Sequence, residues 1–143
     1  QALEGAAQAG SALDAAYHQR RIALQLPDGA LDLERERSTI LDNGFDRAGA
    51  ISWDKGCYMG QEITARMRYR GLAKWDLRAL RLQTGNFADF DLGQGAEVSC
   101  DGKTIGRIRS CSGNLALARL RSEALTQGPD LFMVHRHPVS LLD

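Results

Sequence analysis

The texture of the chain after Gly71 restricts its fold more than any other feature. From there on, apolar residues alternate over short runs, and turn-forming residues close each run. Trp75 and Leu77 alternate, and Leu80 and Leu82 alternate in the opposite phase, which predicts a strand interrupted by a bulge. Ala96 to Cys100, then Asp101-Gly102, then Lys103 to Ile108 reads as a hairpin on a type I′ turn. Leu115 to Leu120 and Leu131 to His135 supply two further strands, bounded by Gly113-Asn114 and Gly128-Pro129. Four or more short antiparallel strands in so little chain predict a small barrel.

The chain before Gly71 has a different period. Gly10-Ser11 has the composition of a helix start, with Asp14 in the place of a capping partner. Leu13, Ala16, Tyr17, Arg20 and Leu24 then share one helical face, expected to meet a segment outside this chain and so to be open to self-association here, and Pro27-Asp28-Gly29 stops the element. Asp28 to Asn43 reads as an ordered connection, Asn43-Gly44 as a turn and Ile51-Ser52-Trp53 as a short buried strand. Gly56 and Gly60 flank a tight turn, followed by a helix over Gln61 to Arg70 with Ile63 and Met67 stacked at i, i+4. Gly71 stands where a helix cap belongs. The expected class is α+β, with one region over residues 1–72 and a small antiparallel β-barrel over 73–143.

Composition excludes several functions. The 143 residues carry 18 basic and 18 acidic side chains, so no global field draws the chain to nucleic acid. No apolar run approaches the roughly 18 residues of a membrane span, and Gln1 to Gly10 lacks the pattern of a secretory signal. Cys57, Cys100 and Cys111 are odd in number and widely spaced, which argues against a disulfide framework and for a reducing, cytoplasmic home. Charge is nevertheless segregated: Asp28 to Asp46 holds six acids and two arginines, whereas Lys55 to Arg81 holds seven bases and two acids. The second stretch suits an anionic ligand or a solvated face.

Cys57 is the residue with most chemical promise. Thiols act as thiolates, which a nearby cation and a helix N-terminus favour; Lys55 lies two residues before it and the helix from Gln61 just after. Gly56 and Gly60 leave backbone amides open to a ligand. Taken alone, a cysteine in a glycine turn also suits a buried structural role. Cys100 and Cys111 fall in the strands and read as core. Three cysteines without a Cys-x-x-Cys pair cannot fill a four-thiolate cluster site. His135-x-His137 reads as a strand end for want of a third ligand, and Trp53, Trp75 and Tyr17 read as core anchors.

The run Lys55-Gly56-Cys57-Tyr58-x-Gly60-Gln61-Glu62-x-x-x-Arg66, followed by Tyr69 and Gly71, resembles the defining motif of the YgfZ/GcvT-like folate-binding family. Gly102 to Ile108 and Leu115 to Leu120 resemble that family's C-terminal barrel. The resemblance implies that residues 1–72 close a folate-binding, aminomethyltransferase-like domain whose earlier part lies upstream and is a structural partner. It implies tetrahydrofolate as the ligand, and a role in assembling or repairing iron–sulfur clusters in enzymes such as radical-SAM tRNA-modifying and lipoate-forming proteins. Cys57 would be the reactive residue, with Lys55, Gly56, Tyr58, Gly60, Gln61, Glu62, Arg66 and Arg21 serving the cofactor. The related aminomethyltransferases typically lack the cysteine. Two alternatives remain open at this level: a folate-dependent one-carbon transferase and a non-catalytic interaction module. At Gln25, where many members of the family carry Gly, this chain departs from the pattern.

Overall fold

The computed structural model describes residues 2–126 and 132–142, with the backbone alone for residues 2–10. Six strands close into an antiparallel barrel: β1 (Trp75–Leu82), β2 (Glu97–Cys100), β3 (Lys103–Ser112), β4 (Leu115–Arg121), β5 (Phe132–Val134) and β6 (His137–Leu141). Around the barrel the order is β1-β4-β3-β2-β5-β6, with β6 pairing back onto β1. Helix α1 (Ala2–Ala23), helix α2 (Gln61–Tyr69) and the short α3 (Ser122–Thr126) lie outside it.

The β2–β3 hairpin forms as its sequence predicts, because Asp101 (φ 49°) and Gly102 (φ 75°) both take the positive φ that a type I′ turn needs. Gly128, Pro129 and Leu131 lie outside the described residues. The barrel interior is filled by Leu80, Leu82, Val98, Ile108, Ala118, Leu120 and Val134. A 3₁₀ turn over Phe87–Phe90 adds the fully buried Phe87, whose N–H donates to the Gly113 carbonyl at 2.9 Å.

Strand β1 is regular where a bulge was expected. Its register against β4 runs unbroken from Trp75↔Arg121 to Arg81↔Leu115. Both phases are apolar because both faces are covered. Leu80 and Leu82 point into the barrel, while Leu77 and Ala79 point outward into a second core with Leu117 and Ile22 of α1. The register shifts fall elsewhere, between Val98 and Ser99 and between Ile108 and Ser110. Arg109, at the second shift, is turned toward the connection, donating to the Asp32 carbonyl at 2.9 Å and pairing with Glu34 at 2.9 Å.

Helix α1 also differs from expectation. It begins at Ala2, so the alanine-rich lead runs straight through Gly10-Ser11; alanine's propensity outweighs the capping signal. The face carrying Leu13, Tyr17 and Leu24 stands open, at 71%, 60% and 52% exposed, with no described element of this chain covering it. Among the described side chains of the helix, burial is confined to the last turn, through Arg21 and Ile22. The helix ends in a Schellman motif, with Leu26 N–H on the Arg21 carbonyl and Gln25 N–H on that of Ile22. Gln25 occupies the left-handed position (φ 55°) that usually takes Gly. The connection then wraps the barrel: Asp42 Oδ1 accepts from Trp75 N–H, and Arg47 donates to the Leu77 carbonyl and pairs with Asp76. Ile51-Ser52-Trp53 forms no strand; the segment pairs with none of the described strands, and Ser52 is exposed.

Candidate functional site

The signature run folds as a turn leading into α2. Gln61 N–H donates to the Tyr58 carbonyl at 3.2 Å, closing a β-turn over Tyr58 to Gln61. Gly60, third in that turn, has φ 84° and ψ 2°, a conformation that calls for glycine in a type II turn. Gly60 is also the N-cap of α2, where its carbonyl accepts from the Thr64 backbone and hydroxyl. At the other end Gly71 (φ 61°) and Leu72 donate to the Arg68 and Met67 carbonyls, a second Schellman motif. Glycines therefore fix both ends of a nine-residue helix.

The structure brings Lys55, Gly56, Cys57, Tyr58, Gly60, Gln61, Glu62 and Arg66 together on this one unit. Cys57 is exposed. Lys55 Nζ lies 4.7 Å from the centroid of the Tyr58 ring, and a Cβ at Gly56 would meet nothing within 4 Å. The Tyr58 hydroxyl is buried without a hydrogen-bond partner. Glu62 and Arg66 pair at 2.9 Å as exposed i, i+4 neighbours, an interaction of little energetic weight.

Arg21 does not belong to the site. Its guanidinium is buried and committed: to Asp32 Oδ2 at 2.7 Å, the Ser110 hydroxyl at 3.0 Å, His18 Nδ1 at 2.9 Å and the Leu26 carbonyl at 3.3 Å. It staples α1, the connection and β3, and no face of it is left for an anionic ligand. The other two cysteines differ chemically from Cys57. Burial raises the thiol pKa of Cys111, and burial with the neighbouring Asp101 carboxylate raises that of Cys100. Both are thereby held back from the thiolate form.

Sequence reasoning missed one contact that shapes the turn. Arg68 stacks on Trp53, its guanidinium carbon 4.0 Å from the ring centroid, and so ties the start of the turn to α2. Trp53 and Trp75 thus serve as arginine platforms, and Tyr17 lies exposed; none of the three is a buried anchor.

Comparison with known proteins adds a family to this geometry. Residues 78–142 match the domain described as CAF17, C-terminal beta-barrel domain. The chain is also 33% identical over 115 residues to the mouse protein named iron-sulfur cluster assembly factor IBA57, mitochondrial, and 34% identical over 114 residues to its human counterpart. Each match covers 79% of this chain and 32% of the relative. A homologue from Coccidioides immitis is 31% identical over 134 residues, covering 77% of the chain and 31% of that protein. The chain thus spans about a third of the length of the curated relatives it matches. Their names correct the expected compartment: all three are mitochondrial by name, which overturns the cytoplasmic expectation. Unpaired cysteines had argued only for a reducing environment, and that argument does not single out the cytoplasm.

Proposed function

We propose that this chain is the C-terminal part of an iron–sulfur cluster assembly factor, acting in mitochondria through the exposed thiol of Cys57. The observation that carries this reading is the likeness, over 79% of the chain, to proteins named for that role. A match of that extent within 143 residues necessarily spans residues 31 to 113, and so includes the whole turn from Trp53 to Gly60. The geometry agrees with the chemistry. Thiolates ligate iron, and a solvent-facing thiol just before the Tyr58–Gln61 turn is open to a cluster or a cluster-bearing partner. One thiol cannot complete a four-ligand set, so Cys57 acts together with a partner's ligands rather than storing a cluster itself.

Tetrahydrofolate belongs to the proposal as the ligand of this turn. The residues present fit one wall of such a site: Lys55 supplies a cation for a carboxylate, and the Tyr58 hydroxyl is a buried donor still without a partner. Gly56 adds backbone that no side chain screens. Bound folate supplies one-carbon or reducing chemistry; these residues would hold and orient it beside Cys57. A second reading, an interaction module, is favoured by the exposure of Met59 (99%), Ile63 (68%) and Tyr69 (78%) along the same unit. These apolar side chains suit contact with another protein surface.

The test has two arms. In cells depleted of their own factor, the complete protein should restore the activities of iron–sulfur enzymes, and failure to restore any would overturn the assembly role. Calorimetry of the complete protein should show saturable tetrahydrofolate binding that weakens with Lys55→Gln and Tyr58→Phe. Binding indifferent to both would remove folate from this turn.

A further inference from the structure

Four arginines converge on one cleft of about 330 Å³ at the outer face of β3 and β4. Arg107, Arg109, Arg119 and Arg121 line it together with Trp75 and a single carboxylate, Glu34. Arg107 and Arg119 stand directly opposite each other in the strand register, an arrangement that like charges disfavour. Neutralisation is incomplete. Glu34 serves Arg109 at 2.9 Å and Arg119 at 3.7 Å, and Arg107 pairs with the exposed Glu97 at 2.7 Å. Among the described residues no acid pairs with Arg121, whose guanidinium carbon lies 5.1 Å from the centroid of the Trp75 ring. Arg119 lies over the same ring at 4.8 Å, and its Nε is buried without a hydrogen-bond partner.

Such a cluster weakens the fold unless something negative occupies it. The stacking on Trp75 holds two guanidinium groups in place in advance, which lowers the ordering cost of binding. We infer that this cleft binds a small, multiply charged oxyanion ligand, one bearing a diphosphate or clustered carboxylates. The volume lies at the lower end of small-molecule sites. The chain's zero net charge leaves this a local field, unlike the extended basic surface that nucleic acid requires. The inference is independent of the function proposed for Cys57.

The test is calorimetric titration of the complete protein with pyrophosphate and, separately, with citrate at low ionic strength, with sulfate as reference. At least one of the two should bind saturably at a single site, about tenfold more tightly than sulfate, and their ratio tells phosphate from carboxylate recognition. Arg121→Gln should weaken that binding about tenfold without lowering the thermal melt, whereas Arg35→Gln, exposed on the connection, should not alter it. The inference is overturned if neither anion binds, if sulfate binds as well as both, or if Arg121→Gln binds like the parent.

Discussion

Removing the carboxylate of Asp32 should cost this protein about 3–5 kcal/mol, because it strands a buried charge. Arg21 and Asp32 are 5% and 1% exposed, and their 2.7 Å contact is the only one in which Arg21 meets a formal negative charge among the described residues. Asp32→Leu leaves the guanidinium with neutral acceptors: the Ser110 hydroxyl, His18 Nδ1 and the Leu26 carbonyl. It also removes the acceptor of the Asp28 N–H, now bonded to Asp32 Oδ2 at 2.7 Å. Arg21→Met has the converse effect, leaving a buried carboxylate whose Oδ1 already lacks a partner. In a chain of this size each loss should lower Tm by roughly 10–15 °C. The double variant Arg21→Met/Asp32→Leu should recover most of the loss, since an apolar pair of similar volume avoids the desolvation of both ions. Urea unfolding of the four proteins, followed by circular dichroism, measures the coupling, expected at about 3 kcal/mol or more. Single variants costing under about 1 kcal/mol, or a double variant equal to the sum of the singles, would show the pair to be no more than a surface bridge.

Three further outcomes follow from particular positions. Gln25→Gly should raise Tm by roughly 2–4 °C, because Gly relieves the left-handed strain while only a 3.3 Å bond to the Leu142 carbonyl is lost; a lower Tm would show that bond to matter more. Gly106→Ala should destabilise by about 1–3 kcal/mol or prevent folding, as a Cβ there runs into the Arg119 carbonyl and Leu120; a parent-like urea midpoint would contradict this. Brief alkylation at neutral pH, mapped by mass spectrometry, should label exposed Cys57 before Cys100 and Cys111. Both of those thiols have raised pKa values, so their thiolate fractions, and with them their labelling, should catch up as pH rises; equal labelling at neutral pH would refute the distinction.

What the sequence made legible was local. Asp101-Gly102 announces its turn because few residue pairs accept two positive φ values, and Gly60 and Gly71 bound α2 for the same reason. The cysteine turn was readable as a unit because its residues are contiguous. What stayed hidden depends on distant partners. Two-sided burial of β1 mimics a bulge unless one knows that Ile22 packs on its outer face. Arg21 resembles a ligand-binding cation until Asp32 and Ser110, 11 and 89 residues away, are seen to enclose it. The barrel arginines left a faint trace, since Arg107 with Arg109 and Arg119 with Arg121 repeat at the spacing that shares a strand face.

The claim that matters most is that the exposed thiol of Cys57 carries the assembly role. The direct measurement is iron–sulfur enzyme activity in cells depleted of their own factor and supplied with the complete protein bearing Cys57→Ser at parental abundance. The substitution touches an exposed turn position, so the fold and thermal melt should be unchanged while enzyme activity stays at the depleted level. Full restoration by the serine variant would show that the thiol is dispensable and contradict the account.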